Sequence, residues 1–225
     1  MPIPSFAFLI DVDNTLLDND RVKVDEEAYL ERMFGPELAS RFWDIYEQVR
    51  QEEDVVDYPL TLARFTQATD GQVSKEQLAA LANFLLSFPF HEHLYPGTLE
   101  TLAFLGRLGT TAITSDGDAS FQGLKIARSG ISAAVEGRVV LYLHKEQHLA
   151  EIQALFPAEH YVVIDDKARL LSAQKAQMGR LCTTVHVRQG KYAQVAPAPG
   201  ELPPDLSVAS IAAVQHISAE QFRAG

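Results

Sequence analysis

Three short apolar or β-branched runs in this chain stop abruptly at clusters of acids and hydroxyls, and this arrangement restricts the fold more than any other feature. Residues 6–10 (FAFLI) stop at Asp11-Val12-Asp13-Asn14-Thr15, residues 110–114 (TTAIT) at Ser115-Asp116-Gly117-Asp118, and residues 161–164 (YVVI) at Asp165-Asp166-Lys167. Such runs read as strands buried on both faces, which is the habit of parallel sheets. Helical patterns fill the intervals. Leu99, Leu102, Leu105 and Leu108 form one apolar stripe between Pro96-Gly97 and Gly109, which serve as start and stop signals. Asp118 is placed to cap a helix running to Gly130, and Leu149, Ile152 and Leu155 make a further stripe ahead of Pro157. Residues 167–179 read as helix and 181–187 (LCTTVHV) as another buried strand. Strands alternating with helices predict an α/β fold with a doubly wound parallel sheet, in which ligands bind outside the carboxyl ends of the strands. The polar clusters sit at those ends.

Residues 21–93 break the rhythm, because they carry helical patterns and no convincing strand. Residues 36–52 form one expected helix, bearing Phe42, Trp43, Ile45, Tyr46 and Val49. Residues 74–88 form another: Ser74 and Gln77 make a capping box, and Leu78, Leu81, Ala82 and Leu85 recur at i, i+3, i+4 and i+7. The expected organisation is a core of residues 1–20 and 94–225, with an all-helical insertion at 21–93 hanging over the strand ends as a lid. Near the C-terminus, residues 196–204 are proline-rich and read as a surface connection, followed by a short strand at 206–208 and a helix from about Ser210.

Composition bears on partners and compartment. Nineteen Lys and Arg against 30 Asp and Glu leave a formal charge of -11, so the surface repels phosphodiester backbones and anionic membranes. Neither nucleic acid nor membrane is an expected partner. No apolar stretch reaches the roughly 20 residues that a membrane helix needs, and no basic region precedes the short apolar run near Met1 and Pro2. The single cysteine, Cys182, has no partner for a disulfide and lies in a buried strand pattern, which fits a reducing compartment. The expected location is cytoplasmic.

The chemistry lies in the strand-end residues taken together. Asp11, Asp13, Asp165 and Asp166 converge on one sheet edge, where four carboxylates repel unless a hard divalent cation sits among them. An all-oxygen site of few carboxylates suits magnesium and a phosphate-bearing substrate. The order of these features resembles the haloacid dehalogenase superfamily, in its phosphatase branch. The matching motifs are D-x-D-x-T at Asp11 to Thr15, an apolar strand ending in Ser115, a lysine at Lys145, and the acidic pair Asp165 and Asp166. The helical insertion after the first motif resembles the type 1 cap of that family.

The resemblance implies a magnesium-dependent phosphatase acting on a small soluble phosphomonoester, with Asp11 as the nucleophile that forms an aspartyl-phosphate. It implies that Asp13 is the general acid and then the general base, and that its backbone carbonyl also binds the metal. Ser115 would donate to the transferring phosphoryl, and Lys145 would neutralise charge on nucleophile and phosphate. Asp11, Asp13, Asp165 and Asp166 would form the metal site, with the direct ligand of the last two left open. Family members that displace halide lack the second acid, because a halide leaves without a proton; Asp13 therefore favours phosphate esters. Asn14 replaces a frequent glycine, Glu146 follows Lys145 in place of proline, and Asp165-Asp166 replaces a Gly-Asp opening. Transfer to a second hydroxyl, as in phosphotransferases and phosphomutases, remains open, as does a non-catalytic phosphate-binding relative, although the full motif set argues against the latter.

Some residues compete for these roles. Lys125 rivals Lys145, and position before the Asp165 strand favours Lys145. Thr114 rivals Ser115, and strand alternation favours Ser115. Asp116 and Asp118 read as turn and cap residues, His91 and His93 as surface residues of a connecting segment, and Phe42, Trp43 and Tyr46 as packing within the insertion. Arg32, Arg41, Arg50, Arg64, Tyr29 and Tyr58 are the candidates for substrate specificity.

Overall fold

The computed structural model describes residues 3–53, 56–193, 195 and 198–225. Met1, Pro2 and the first two residues of the 196–204 connection lie outside the described residues; the remainder of that connection contains no helix or strand. In chain order the elements are β1 (Phe6–Ile10), α1 (Asn19–Phe34), α2 (Pro36–Glu53), α3 (Tyr58–Ala68), α4 (Lys75–Ser87), α5 (Thr98–Leu108), β2 (Thr110–Asp116), α6 (Phe121–Arg128), α7 (Ile131–Ala134), β3 (Val139–Tyr142), α8 (Leu149–Leu155), β4 (His160–Asp165), α9 (Ala168–Met178), β5 (Cys182–Val187), β6 (Leu206–Val208) and α10 (Ala219–Arg223). Short 3₁₀ turns fall at Phe90–His93, Lys145–Gln147, Gly179–Leu181 and Ile211–His216.

The six strands form one parallel sheet in the order β3-β2-β1-β4-β5-β6. From β1 the chain first builds outward through β2 and β3, then returns to place β4 on the other side of β1. The crevice at the carboxyl ends of β1 and β4 is therefore the topological switch point, where open sheets of this kind bind ligands. β1 is buried on both faces. Phe6, Phe8 and Ile10 face a core completed by Leu102, Leu105, Val162, Ile164 and Phe222, and Ala7 and Leu9 face a second one with Ile152, Val163, Leu171 and Met178. Two-sided burial is why the run is continuously apolar.

Local signals set most element ends. Ser74 and Gln77 form the expected capping box at the start of α4. Asp118 Oδ1 accepts from the backbone N–H of Ser120 (2.8 Å) and of Phe121 (2.7 Å), so it caps the entry to α6. Gly109 ends α5 where its backbone crosses Phe6 so closely that a Cβ there would collide with the Phe6 carbonyl. The leucine stripe of α5 is narrower than expected, because Leu102 and Leu105 are buried while Leu99 is 42% exposed. The structure adds a strand, β3, that the sequence reading lacks. It is a four-residue edge strand, partly exposed along its whole length, whose apolar run ends in Leu143 and His144 rather than in acids.

Helices α1–α4 occupy the interval between β1 and β2, and contain no strand among the described residues. They pack on one another through Phe42, Phe65, Leu81 and Leu85, and rest on the sheet side through Tyr58 against Phe121, with ring centroids 4.1 Å apart. Phe90 also meets the Phe121 ring from the segment that returns to α5. No helix among the described residues is long and apolar enough to cross a membrane.

Candidate active site

The site is built on the first turn after β1. Asp11 continues the strand direction, its N–H donating to the Ile164 carbonyl (2.9 Å), so its side chain enters the crevice between β1 and β4. The chain then turns sharply at Asn14, whose φ of 61° lies in the left-handed region. Asparagine is among the few residues other than glycine that adopt this conformation readily, so its presence where related motifs carry glycine preserves the backbone. Its side-chain oxygen accepts from the N–H groups of Asn19 (3.1 Å) and Asp20 (3.3 Å), tying the turn to the start of α1.

Asp11, Asp165 and Asp166 are buried together, and each offers an oxygen within 4.8 Å of the others. Lys145, itself buried, enters the cluster from its 3₁₀ turn; its Nζ lies 2.6 Å from Asp11 Oδ1 and 2.7 Å from Asp165 Oδ2 and also donates to the Thr114 carbonyl. Asp116 Oδ1 fixes the Lys145 backbone by accepting its N–H at 2.8 Å. Burial pulls the Lys145 ammonium down, but the carboxylates of Asp11, Asp165 and Asp116 outweigh it and hold the group charged. Burial pushes Asp11 above the ordinary carboxylate range, with Lys145 opposing and Asp165 adding to the rise. Asp165 experiences the same burial, yet Lys145 and Lys167 outweigh it and hold this carboxyl low.

Asp166 is different. Both of its carboxylate oxygens are buried with no hydrogen-bond donor among the described residues. Burial first, then Asp11 and Asp165, push its carboxyl well above the usual range. Unpartnered carboxylate oxygens in a cluster of three acids constitute a site deficient in positive charge. A hard, oxygen-seeking divalent cation fits this donor set, and magnesium is the one the resemblance implies.

Asp13 lies outside that cluster. Its carboxylate turns away from Asp11 and pairs with Lys125 Nζ at 2.8 and 3.1 Å, while Gln122 Nε2 donates to its Oδ2 at 3.3 Å. The same Gln122 amide donates to Ser115 Oγ at 3.0 Å, which leaves the Ser115 hydroxyl proton free for another acceptor. Lys125 also donates to Asn19 Oδ1 at 3.0 Å. The expected convergence of four carboxylates therefore holds for three, because Lys125 and Gln122 engage the Asp13 carboxylate apart from Asp11, Asp165 and Asp166.

A cavity of about 70 Å³ is lined by Asp13 and Lys125 together with residues of the helical segment. Its walls include Gln122 and Phe121 from α6, Lys23 and Glu26 from α1, and Tyr46 and Tyr58 from α2 and α3. Of the six arginines and tyrosines singled out for specificity, only Tyr58 lines it. Arg50 borders an adjoining groove that shares Asp13, Lys23 and Tyr46 with this cavity and extends to Lys167, Lys191 and Tyr192, Arg64 pairs with Glu52, and Arg41 is exposed. Tyr29 stacks on Phe84 at 3.7 Å and Arg32 lies 5.3 Å from the centre of the Tyr29 ring, so both serve packing.

The structure thus gathers Asp11, Asp165, Asp166 and Lys145 in one cluster, with Asp13 and Ser115 joined to each other through Gln122. Lys125 is not a substitute for Lys145: each lysine has its own carboxylate, Asp13 and Asp11 respectively. His93 is not a surface residue, since it is buried with Nε2 2.7 Å from Asp25 Oδ2; His91 is exposed as expected. Sequence reasoning missed Gln122, Lys167 and Glu26. The signal for Glu26 was present, because Val22, Glu26 and Leu30 form the buried stripe of α1 at i, i+4 and i+8, and an acid on an apolar face asks for an explanation. Gln122 and Lys125 share a helix face at i, i+3, which carries no meaning until α6 is known to begin beside Ser115.

A family model for haloacid dehalogenase-like hydrolases matches residues 7–175. Among solved structures, one described as a haloacid dehalogenase-like hydrolase from Burkholderia xenovorans LB400 is 41% identical, with a TM-score of 0.86, covering 97% of this chain and 98% of that one. The HAD-hydrolase YfnB of Bacillus subtilis, bound to magnesium, is 16% identical with a TM-score of 0.62, covering 95% and 98% of the two chains. The L-2-haloacid dehalogenase of Xanthobacter autotrophicus is 17% identical with a TM-score of 0.61, covering 94% and 97%. These last two likenesses concern the fold. No curated protein matches the chain.

Proposed function

The chain belongs to the haloacid dehalogenase-like hydrolases, and from that premise we propose that it is a magnesium-dependent phosphatase of small soluble phosphomonoesters, with Asp11 as nucleophile. The observation that carries this reading is Asp13, a second carboxylate two residues from the nucleophile, which lines the cavity and shares the Gln122 amide with Ser115. Displacement of a halide has no use for a proton donor there, whereas an alkoxide leaving group needs one.

Magnesium, held by the carboxylates of Asp11, Asp165 and Asp166 and the Asp13 carbonyl, would supply the positive charge that lets an anionic phosphate approach. An Asp11 carboxylate oxygen attacks phosphorus while Lys145 neutralises charge on the nucleophile and the phosphate, and the phosphorus–oxygen bond of the ester breaks. Asp13 gives its proton to the departing alkoxide. Water then attacks the aspartyl-phosphate, Asp13 takes up the water's proton, and the phosphorus–oxygen bond to Asp11 breaks, restoring the nucleophile and releasing phosphate. Ser115 donates to a phosphoryl oxygen in both halves. In this reading residues 21–93 are a cap over a core of residues 1–20 and 94–225, the partner is a small phosphorylated metabolite rather than nucleic acid or membrane, and the enzyme works in the cytoplasm.

The test is turnover of a phosphomonoester panel that includes phenyl phosphate, with magnesium and with excess chelator. Activity is expected with the metal and not with the chelator, and Asp11→Asn is expected to lower it by several orders of magnitude, each factor of ten corresponding to about 1.4 kcal/mol. Full activity in Asp11→Asn, or no turnover across the panel, overturns the proposal, and halide release from a 2-haloacid without phosphatase activity replaces it.

A further inference from the structure

Glu26 is a carboxylate of the helical segment, buried at 1% exposure on the wall of the cavity that Asp13 also lines. Burying a carboxylate is costly unless its oxygens are hydrogen-bonded. One oxygen is provided for: the Tyr58 hydroxyl donates to Oε2 at 2.7 Å. The other, Oε1, is buried with no donor among the described residues. Packing does not require an acid here, since Val22 and Leu30 occupy the neighbouring positions of the same stripe. An acceptor left open at the wall of a substrate cavity is complementary to a donor that arrives with the substrate.

The other cavity walls indicate which donor. Lys23, one turn before Glu26 on α1, borders the same cavity, with its Nζ 4.8 Å from the centre of the Tyr46 ring; Lys125 borders it as well. Asp13, Asp116 and Asp118 line the cavity too, but the cations that act most on Glu26 itself are Lys125 and Lys23, so an ammonium seeking Glu26 would meet both. A hydroxyl meets no such repulsion, and it can donate to Glu26 while accepting from Lys23. About 70 Å³ is room for roughly five water-sized groups, the bulk of a short hydroxylated chain. We propose that Glu26, braced by Tyr58, is a specificity-determining residue that accepts a hydrogen bond from a hydroxyl of the leaving group, so that the substrate class is a short polyol phosphate. The inference rests on the phosphatase reading and goes beyond it.

The experiment compares kcat/KM for glycerol 3-phosphate, n-propyl phosphate and 2-aminoethyl phosphate, with phenyl phosphate as the gauge of phosphatase chemistry itself. Wild type is expected to prefer glycerol 3-phosphate to n-propyl phosphate by about a hundredfold, because the deoxy ester leaves a buried acceptor open. Glu26→Leu is expected to bring that ratio to within threefold, and Glu26→Gln to lower it by about tenfold. The wild-type ratio tests the inference whether or not the leucine variant folds. A wild-type ratio near one, a preference for 2-aminoethyl phosphate, or an unchanged ratio in the folded variants overturns it while leaving the phosphatase reading intact. No turnover of any ester, phenyl phosphate included, overturns both.

Discussion

A carboxyl buried against a tyrosine hydroxyl makes the fold sensitive to pH. Burial is the main cause that pushes Glu26 from 4.5 up to about 7; the Tyr58 hydroxyl, Lys125 and Lys23 oppose it, and Asp13 adds to it. Between those two values the folded protein holds a proton that the unfolded chain has already lost, so stability falls as pH rises through this window and stays low above it. The full swing is about 3 kcal/mol. Glu26→Gln, which has no charge to bury, is therefore expected to match wild type near pH 4.5 and to unfold at a higher urea midpoint by pH 8. Equal midpoints at pH 8 contradict the burial argument. A residue that weakens the fold at working pH is a common accompaniment of function. The acid was visible in the sequence on the apolar stripe of α1, but its empty oxygen was not, because Tyr58 and the cavity come from elsewhere in the chain.

At the scale of elements, the Asn14 turn is the feature on which the site hangs. Its backbone is fixed by the start of α1, and Gly190, at φ 63°, passes so close that a Cβ there would lie 2.5 Å from Asn14 Cγ. Gly190→Ala combines a left-handed strain with this collision and is expected to cost about 1–3 kcal/mol in urea unfolding and to lower turnover by moving the Asp11–Asp13 turn. An unchanged midpoint together with unchanged turnover would show that the two loops part freely. The ends of β1, β2 and β4 were legible because two-sided burial writes a continuous apolar run that must stop where the sheet edge meets the site. β3 was not, since an edge strand is half exposed and ends in no polar cluster. Lys145 could be placed from its position ahead of β4, but the pairing of Lys125 with Asp13 spans more than a hundred residues of chain and follows from packing α6 beside the switch point.

For the whole molecule, the charge of -11 divides between a solvated acidic surface and a buried acidic centre able to hold a cation. Asp11, Asp165 and Asp166 face Lys145 and Lys167, and burial of the Lys167 ammonium is outweighed by Asp11, Asp165 and Asp166, which push it up to about 12. A cation that binds only the folded state stabilises it, by about 2.7 kcal/mol at a hundred times its Kd. Magnesium is accordingly expected to raise Tm, and chelator to return it to the metal-free value. Asp166→Asn, which removes the least-compensated acid, is expected to raise the metal-free Tm and to reduce the magnesium-induced rise. A magnesium-independent Tm in wild type would count against a metal in this cluster.

The sequence by itself determined the parallel α/β sheet, the helical interruption after the first strand, and the convergence of Asp11, Lys145, Asp165 and Asp166. These follow from local patterns: apolar runs that mark buried strands, caps that mark helices, and a topology that brings strand ends to one edge. The tertiary structure alone decided that Asp13 leaves the carboxylate cluster for Lys125, that Asp166 is the acid without a donor, and that Glu26 and Tyr58 close the cavity above them. Each of these depends on which side chains from distant segments share a volume from which water is excluded. In such a volume every unpaired oxygen requires a partner, and the sequence does not state the distances that show which oxygen lacks one.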